Sequence, residues 1–128
     1  MRQVERGFAI AFATAQLSDA PRAGLKMGAC LMAGSRLLSI GANLYSRSHP
    51  ASQQSEDFVR STHCEHVAIV RRQHYDVRGK LTLYVARRRS DGSIGNSRPC
   101  INCLKLCQLA GVSRIWFYEH GERKEITL

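Results

Sequence analysis

The amino-acid sequence predicts an α/β fold, a three-layer α/β/α sandwich in which helices cover a mixed five-stranded sheet with an antiparallel C-terminal hairpin. Three patterns predict it. An amphipathic helix opens the chain, helical segments then alternate with short apolar runs, and a tight turn separates the last two strands. A strand, a crossover helix and a second strand imply a parallel pair. With 128 residues there is room for one domain, and we expect residues 1–128 to form it.

The first half of the chain contains a helix and a hairpin. Apolar residues at helical spacing predict a first helix over residues 2–17, with an inner face of Val4, Phe8, Ala11, Phe12 and Ala15. Two apolar runs, Met27–Ala33 and Arg36–Ala42, surround Gly34 and Ser35 and predict a β-hairpin. Residues 44–61 are expected to form a polar loop.

The second half alternates helices and strands. The pattern predicts, in order, a helix over residues 62–75, a strand over Leu81–Arg87, a loop over 88–98, a helix over 99–110 and a strand over 114–118. Residues 119–122 resemble a tight turn, and residues 124–128 are too few to cross the sheet through a helix. We therefore expect the fifth strand to run antiparallel to the fourth.

Three side chains have the types and spacing of a zinc site with one open position. Cys100 and Cys103 follow Pro99, and if this proline opens a helix, the two thiolates share one face of its first turn. Thr62 could likewise cap a helix that begins beside His63. Helix N-termini favour anions, which helps keep thiolates deprotonated. Two thiolates and an imidazole would hold Zn²⁺ and leave its fourth position to water.

Glu65 distinguishes a catalytic site from a structural zinc site. A structural site would need a fourth protein ligand, whereas a carboxylate two positions after His63 can lie beside the open position without binding the metal. There it can take and return a proton. We therefore expect His63, Cys100 and Cys103 to bind zinc and Glu65 to be catalytic.

The pattern H-x-E followed by P-C-x-x-C resembles the signature of the zinc-dependent cytidine deaminase superfamily. It is matched by His63, Glu65, Pro99, Cys100 and Cys103. The resemblance implies a hydrolase that converts cytosine to uracil with Zn²⁺ as its cofactor. The predicted antiparallel terminal hairpin is similar to that of nucleoside deaminases and of several polynucleotide-editing toxin deaminases. Branches of the superfamily such as the tRNA adenosine deaminases instead have a parallel fifth strand. Small phage-like deaminases of the CMP/dCMP type are also similar, in residues 41–63 and around residues 96–100, and this similarity favours a free nucleotide as substrate.

Candidate substrate contacts lie on both sides of the expected zinc site. The superfamily places an asparagine at the end of its second strand to hold a ribose hydroxyl, and Asn43 matches that place. An amide offers the donor and the acceptor that a hydroxyl needs. Ser97 and Arg98 could line the pocket, and Tyr45 and His49 could stack on a base. For each of these residues an ordinary structural role is the alternative.

The charge of the chain is the best indication of its substrate. Nineteen Lys and Arg residues against ten Asp and Glu residues leave a formal net charge of +9. A polynucleotide benefits from a surface that follows several phosphates, whereas a mononucleotide needs fewer cationic contacts. Arg87, Arg88 and Arg89 continue from the third strand towards the expected mouth of the pocket. We predict that these arginines bind nucleic acid; a solvated basic face is the alternative.

The leading hypothesis is deamination of cytosine in DNA. Single strands should be preferred, because flipping a base out of a duplex costs on the order of a few kcal/mol. The alternative is deamination of a free cytidine nucleotide or nucleoside. A third hypothesis is a non-catalytic, zinc-stabilised nucleic-acid-binding module, against which Glu65 argues. A homo-oligomer is expected by analogy, since nucleoside and nucleotide deaminases commonly assemble.

The five cysteines favour a reducing, cytoplasmic location. Two are assigned to zinc, and Cys30, Cys64 and Cys107 are expected to be buried, reduced thiols, since an odd count without a paired framework is not typical of a disulfide-bonded protein. No run approaches the roughly 20 apolar residues of a membrane span, and the first residues lack the apolar core of a signal peptide. We therefore expect no membrane partner.

Overall fold

The computed structural model describes residues 2–45, 63–72 and 80–128. Its helices and strands are, in chain order, α1 (Arg2–Ala15), β1 (Met27–Ala33), β2 (Arg36–Ala42), α2 (Cys64–Arg71), β3 (Leu81–Arg87), α3 (Ile101–Leu109), β4 (Val112–Glu119) and β5 (Glu122–Thr127). A short 3₁₀ helix over Ala23–Leu25 precedes β1. Within these residues, no helix has the length and apolar character needed to cross a membrane.

The five strands form one mixed sheet in the order β2-β1-β3-β4-β5. β3 and β4 are parallel and are joined through α3, whereas the other neighbouring pairs are antiparallel. This confirms the predicted parallel pair. The β4–β5 hairpin turns at His120 and Gly121, whose φ angles are 53° and 79°. Positive φ at both residues gives a two-residue turn whose twist matches the strands, and the predicted antiparallel end of the sheet is confirmed.

Helices cover both faces of the sheet, which confirms the three-layer prediction. Side chains from α1 and one face of the sheet form the first core, with Phe8, Ala11, Cys30, Met32, Tyr84, Ala86 and Tyr118. Side chains from α2, α3 and the opposite face form the second core, with Ala29, Leu31, Cys64, Ala68, Leu83, Val85, Cys107, Ile115 and Phe117. Neighbouring residues of a strand point to opposite faces, so each buried strand contributes to both cores.

The second helix differs from its prediction at both ends. Its first residue is Cys64, and the N-cap is His63, whose backbone is extended with φ −67° and ψ 149°. The prediction of Thr62 as the cap is wrong, and Thr62 itself lies outside the described residues. At the other end Arg72 adopts ψ 123°, which is not a helical angle, so the helix stops at Arg71. The imidazole of His63 makes no capping hydrogen bond and is directed elsewhere.

Gly41 lets α2 approach the sheet more closely than a larger residue would permit. A Cβ atom at this position would lie 2.3 Å from the backbone N of Ala68 and 2.6 Å from the backbone O of Cys64. Ser39 also connects the two elements, because its hydroxyl donates a hydrogen bond of 2.7 Å to the carbonyl of Ala68. β2 therefore sets the position of α2 and of the residues at its N-terminus.

The connection from β3 to α3 returns to the sheet before the helix begins. A β-bridge between Arg88 and Ile94 closes the loop. Ser97 then lies between the parallel strands, where its hydroxyl donates to the Val85 carbonyl at 2.8 Å and accepts from the Tyr118 N–H at 2.9 Å. The segment that leads into α3 is thereby attached to both β3 and β4.

We predict that Gly41→Ala destabilises the protein. The added methyl group overlaps backbone atoms of α2, which cannot rotate away, so the free energy of unfolding should fall by about 1–3 kcal/mol. Chemical denaturation of the variant and the parent measures this change. Ser35→Ala, in the exposed turn between β1 and β2, is the control and should change the free energy of unfolding by less than about 0.5 kcal/mol. Equal stability of Gly41→Ala and the parent would contradict the close packing.

Candidate active site

Two helix N-termini meet beside the sheet and bring three donor side chains together. His63 is the N-cap of α2 and Cys100 is the N-cap of α3, so Pro99 lies just before the cap rather than at the first helical position. Cys103 follows within the first turn of α3. Nδ1 of His63 lies 3.7 Å from Sγ of Cys100 and 3.5 Å from Sγ of Cys103. The three possible ligand atoms all lie within 4.8 Å of one another.

The separations of these atoms fit a tetrahedral zinc ion. With Zn–S distances of about 2.3 Å and Zn–N distances of about 2.0–2.1 Å, tetrahedral ligand atoms should be roughly 3.5–3.8 Å apart. The measured separations of 3.5 and 3.7 Å agree with this value. One imidazole and two thiolates are also ligands that zinc prefers, and three protein ligands leave its fourth position open. The residues present therefore fit the metal.

The thiols of Cys100 and Cys103 are coupled electrostatically. A hydrogen bond from Cys103, opposed by burial and assisted by His63, lowers the pKa of Cys100 to about 4. The same hydrogen bond and burial raise the pKa of Cys103. Cys100 is therefore the more acidic of the two thiols, and Cys103 keeps its proton when no metal is bound. Because a metal ligand must be a thiolate, zinc binding has to displace that proton.

Glu65 lies in the first turn of α2 and is only 3% exposed. Its Oε1 accepts a hydrogen bond of 2.9 Å from Sγ of Cys64. Burial, together with the neighbouring charge of Glu65, raises the pKa of the Cys64 thiol well above its usual range. The thiol therefore stays protonated, and it restrains the carboxylate as a hydrogen-bond donor.

The cysteines outside the metal cluster are buried free thiols, as predicted. Cys30 lies under α1, and Cys64 and Cys107 lie in the core under α2 and α3. Burial raises the pKa of both Cys30 and Cys107 to about 12, so neither is a thiolate at neutral pH. Cys64 is not one of the clustered donors.

A cavity of about 180 Å³ opens beside the donor cluster. His63, Cys100 and Glu65 form part of its wall. Pockets for small molecules usually measure about 300–1,000 Å³, so the described walls enclose room for a compact group such as a base. The cavity brings the zinc donors, a buried carboxylate and several of the predicted substrate contacts to one place.

Asn43 lines this cavity, but the main chain already uses its amide. Oδ1 accepts a hydrogen bond of 2.9 Å from the Met27 N–H, and Nδ2 donates one of 2.8 Å to the Leu25 carbonyl. These bonds fasten the start of β1 to the end of β2. An amide has a second N–H and a second lone pair, so the predicted contact with a sugar hydroxyl stays a prediction.

The structure describes only one of the two residues that were predicted to stack on a base. Tyr45 lines the cavity, and the Asp19 carboxylate holds its backbone N–H at 2.6 Å. His49 lies outside the described residues. Stacking of either ring on a base stays a prediction.

Ser97 and Arg98, although adjacent, occupy different environments. Ser97 is buried and is not among the residues that line the cavity, and its hydroxyl is engaged by β3 and β4. Arg98 does line the cavity; its guanidinium lies 3.6 Å from the carboxylate of Glu119 and 5.4 Å from the ring centroid of Phe117. The structure therefore brings only Arg98 to the cavity, and a substrate contact by Ser97 remains a prediction that its hydrogen bonds do not favour.

The three consecutive arginines do not share one surface. Arg87 lines the cavity, whereas Arg88 donates a hydrogen bond of 2.9 Å to the Gly92 carbonyl and lies 4.5 Å from the ring centroid of Phe12. Arg89 is exposed. Side chains alternate along an extended segment, which explains why neighbouring arginines diverge. Nucleic-acid binding by these residues stays a prediction.

Sequence reasoning missed three residues of the cavity wall, Leu25, Met27 and Cys64. Leu25 ends the 3₁₀ helix and Met27 begins β1; both are apolar, and nothing in their residue type signals a site. Cys64 was expected to be a buried thiol, and its contact with Glu65 could have been anticipated from their adjacency at the first turn of a helix.

Solved structures with a similar fold are deaminases. The cytidine deaminase from Burkholderia pseudomallei is 14% identical with a TM-score of 0.63, over 96% of this chain and 91% of that chain. The dCMP deaminase from the cyanophage S-TIM5, in its apo form, is 21% identical with a TM-score of 0.60, over 88% and 79% of the two chains. The structure of that enzyme with dCMP and dUMP has a TM-score of 0.59 at 21% identity, over 87% and 76%. These likenesses support the fold.

The family relationship is shown by sequence. No curated protein sequence matches the chain significantly. A family model described as the cytidine and deoxycytidylate deaminase zinc-binding region matches residues 1–119, which include the H-x-E and P-C-x-x-C segments. The chain therefore belongs to the zinc-binding cytidine and deoxycytidylate deaminase family, and it is a hydrolase that acts on the C–N bond of a cytosine-type base.

Proposed function

We propose that the chain hydrolyses the 4-amino group of cytosine at the cavity beside His63, Cys100 and Cys103. The observation that carries this proposal is the position of Glu65, which is buried on the same cavity wall as two of the zinc donors, His63 and Cys100. A structural zinc site uses four protein ligands, whereas the cluster in the described residues offers three with an acid beside them. That arrangement suits hydrolysis.

Each residue has a separate role in this reaction. His63, Cys100 and Cys103 would hold zinc, which would lower the pKa of a water from about 15.7 to about 7. Glu65 takes a proton from the attacking water and delivers protons to ring N3 and to the leaving amino group, so that cytosine and water give uracil and ammonia. The Cys64 thiol, 2.9 Å from Oε1, restrains the carboxylate during these transfers.

We further propose that the cytosine is presented on DNA, with single strands preferred. The net charge of +9 favours a polyanionic partner. A cavity of about 180 Å³ suits a base whose sugar and phosphates stay at the mouth. A base in a single strand can enter without the cost of leaving a duplex.

A free cytidine nucleotide is the second candidate. The description of the family names cytidine and deoxycytidylate, and the similar cyanophage enzyme was solved with dCMP and dUMP. Of the three consecutive arginines, Arg87 alone is among the residues that line the cavity. A mononucleotide needs few cationic contacts, so this arrangement serves it as well.

A cytoplasmic location and a homo-oligomeric assembly belong to the same proposal. The location is supported by the five cysteines, all of which are free thiols. The assembly rests on analogy with nucleoside and nucleotide deaminases. The non-catalytic zinc module is disfavoured, because a purely structural site has no use for a buried carboxylate such as Glu65 beside the metal donors.

Purified protein should contain about one zinc ion per chain, and Cys103→Ser should lose most of it, because removal of one of three ligands weakens the site. Metal analysis and thermal unfolding measure the two effects. Cys30→Ser is a matched control, since Cys30 is equally buried but lies under α1. This control should keep its zinc. A full complement of zinc in Cys103→Ser would refute the assigned ligand set.

Glu65→Gln should keep zinc and lose turnover by roughly 10²–10⁴-fold, because the amide cannot accept the proton of the attacking water. Uracil release and zinc content are measured on the same samples. Glu122→Gln, at the exposed start of β5, is the control for a lost carboxylate and should retain full activity. If Glu65→Gln turned over as fast as the parent, Glu65 would have no part in proton transfer.

The DNA proposal predicts that the logarithm of affinity for single-stranded oligonucleotides falls linearly with the logarithm of the salt concentration, because bound counterions are released. Uracil formation should be measured on cytidine, dCMP, single-stranded DNA and duplex DNA at matched salt. Single-stranded DNA should be converted faster than duplex DNA. Rapid conversion of dCMP with no conversion of either DNA would reject the DNA proposal in favour of the second candidate.

A further inference from the structure

An enclosed cationic donor at the cavity wall has no partner in the described part of the chain. The Nε–H of Arg87 is buried and meets no hydrogen-bond acceptor among the described residues. Arg87 lines the same cavity as His63 and Glu65. An enclosed charged donor without an acceptor costs free energy. A ligand that brings an acceptor into the cavity would remove that cost.

Gly95 provides the space in which this guanidinium lies. A Cβ atom at residue 95 would be 2.6 Å from Nε and 3.0 Å from Nη2 of Arg87. The Gly95 N–H also donates a hydrogen bond of 2.8 Å to the Arg87 carbonyl, which fixes the two residues beside each other. The position of the guanidinium therefore depends on the absence of a side chain at residue 95.

The second arginine of the cavity is already paired. The side chain of Arg98 is 51% exposed and lies 3.6 Å from the carboxylate of Glu119, which Lys124 also contacts at 3.2 Å. Among the described lining residues, Glu65 is the only carboxylate, and its identified partner is the Cys64 thiol. Because Arg98 is paired, Arg87 carries the cationic donor of the wall that is enclosed and has no acceptor among the described residues.

We propose that Arg87 binds a phosphate group attached to the sugar of the cytosine substrate, with Arg98 assisting at the cavity mouth. Cytosine and its sugar are uncharged at neutral pH, whereas a phosphate oxygen is a strong acceptor for a guanidinium N–H. This inference rests on the proposed function and narrows its substrate class to phosphorylated cytosine compounds. The phosphate is a monoester in a free nucleotide and a diester in DNA, and Arg87 discriminates both from the nucleoside.

The test compares the zinc-loaded parent with Arg87→Gln by calorimetric binding of three products, deoxyuridine, dUMP and a single-stranded oligonucleotide with one uracil. The parent should bind a phosphate-bearing ligand more tightly than deoxyuridine. Arg87→Gln should weaken that binding by about ten- to a hundredfold and leave deoxyuridine unchanged, because a charged hydrogen bond is lost. Arg2→Gln is the control, since α1 begins beside the β1–β2 turn, where Gln3 and Arg6 bond to main-chain carbonyls. It should bind all three products as the parent does.

Gly95→Ala is the second variant, for use where Arg87→Gln does not fold. It displaces the guanidinium without removing its charge, and it should cause the same selective loss. Weaker binding of dUMP alone would identify a monoester site, and weaker binding of the oligonucleotide alone would identify a diester site. Either result supports the proposal. Unchanged binding of every phosphate-bearing ligand, or an equal loss for deoxyuridine, overturns it.

The outcome is separable from that of the proposed function. Product binding is measured without turnover, so selective phosphate binding by a chain that deaminates no cytosine compound would reject the function and keep the phosphate site. If Arg87→Gln deaminated every substrate as fast as the parent, the proposed function would stand and the phosphate site would be rejected.

Discussion

The convergence of the N-termini of α2 and α3 is the constraint on which the rest of the site depends. His63 and Cys100 are both N-cap residues, so each donor moves rigidly with the start of its helix. Gly41 and Ser39 place α2 against β2, and Ser97 places the segment before α3 between β3 and β4. If either helix shifted by about an ångström, the separations of 3.5 and 3.7 Å between the donor atoms would no longer fit a tetrahedral zinc ion. The sheet therefore determines the metal geometry.

The same convergence stabilises negative charge at the site. Helix N-termini present unpaired N–H groups and the positive end of the dipole, which favours the thiolate of Cys100 and a nearby carboxylate. Glu65 lies in the first turn of α2, close to this end of the helix. The fold thus brings anionic ligands and an acid together in a buried place that would otherwise disfavour charge.

The elements and the zinc donors could be predicted because their signals are local. Apolar periodicity indicated the helices and strands, and the spacing of Cys100 and Cys103 requires only one helical turn. Asn43 and Ser97 could not be interpreted in this way, because main-chain groups far away in the sequence engage their polar atoms. The end of α2 at Arg71 was missed because residues 72–75, Arg-Gln-His-Tyr, contain no glycine or proline to signal it.

The net charge of the chain does not by itself identify the cations that serve the site. Arg88 lies over Phe12, Arg98 over Phe117 and Arg123 over Phe8, with distances of 4.5, 5.4 and 5.3 Å from guanidinium carbon to ring centroid. Such arginines pack on aromatic rings as well as carrying charge, so they contribute to the stability of the fold. The informative cation is the one whose donor is enclosed and unpartnered among the described residues, Arg87.

The loop after β3 is closed at its base before the chain reaches the zinc donors. The Arg88–Ile94 bridge closes one end, and the Ser97 hydrogen bonds attach the other end to the sheet. Residues inserted or removed between Arg88 and Ile94 would change the exposed loop without moving Cys100 or Cys103. The length of this loop can therefore change while both thiol donors keep their positions relative to the sheet.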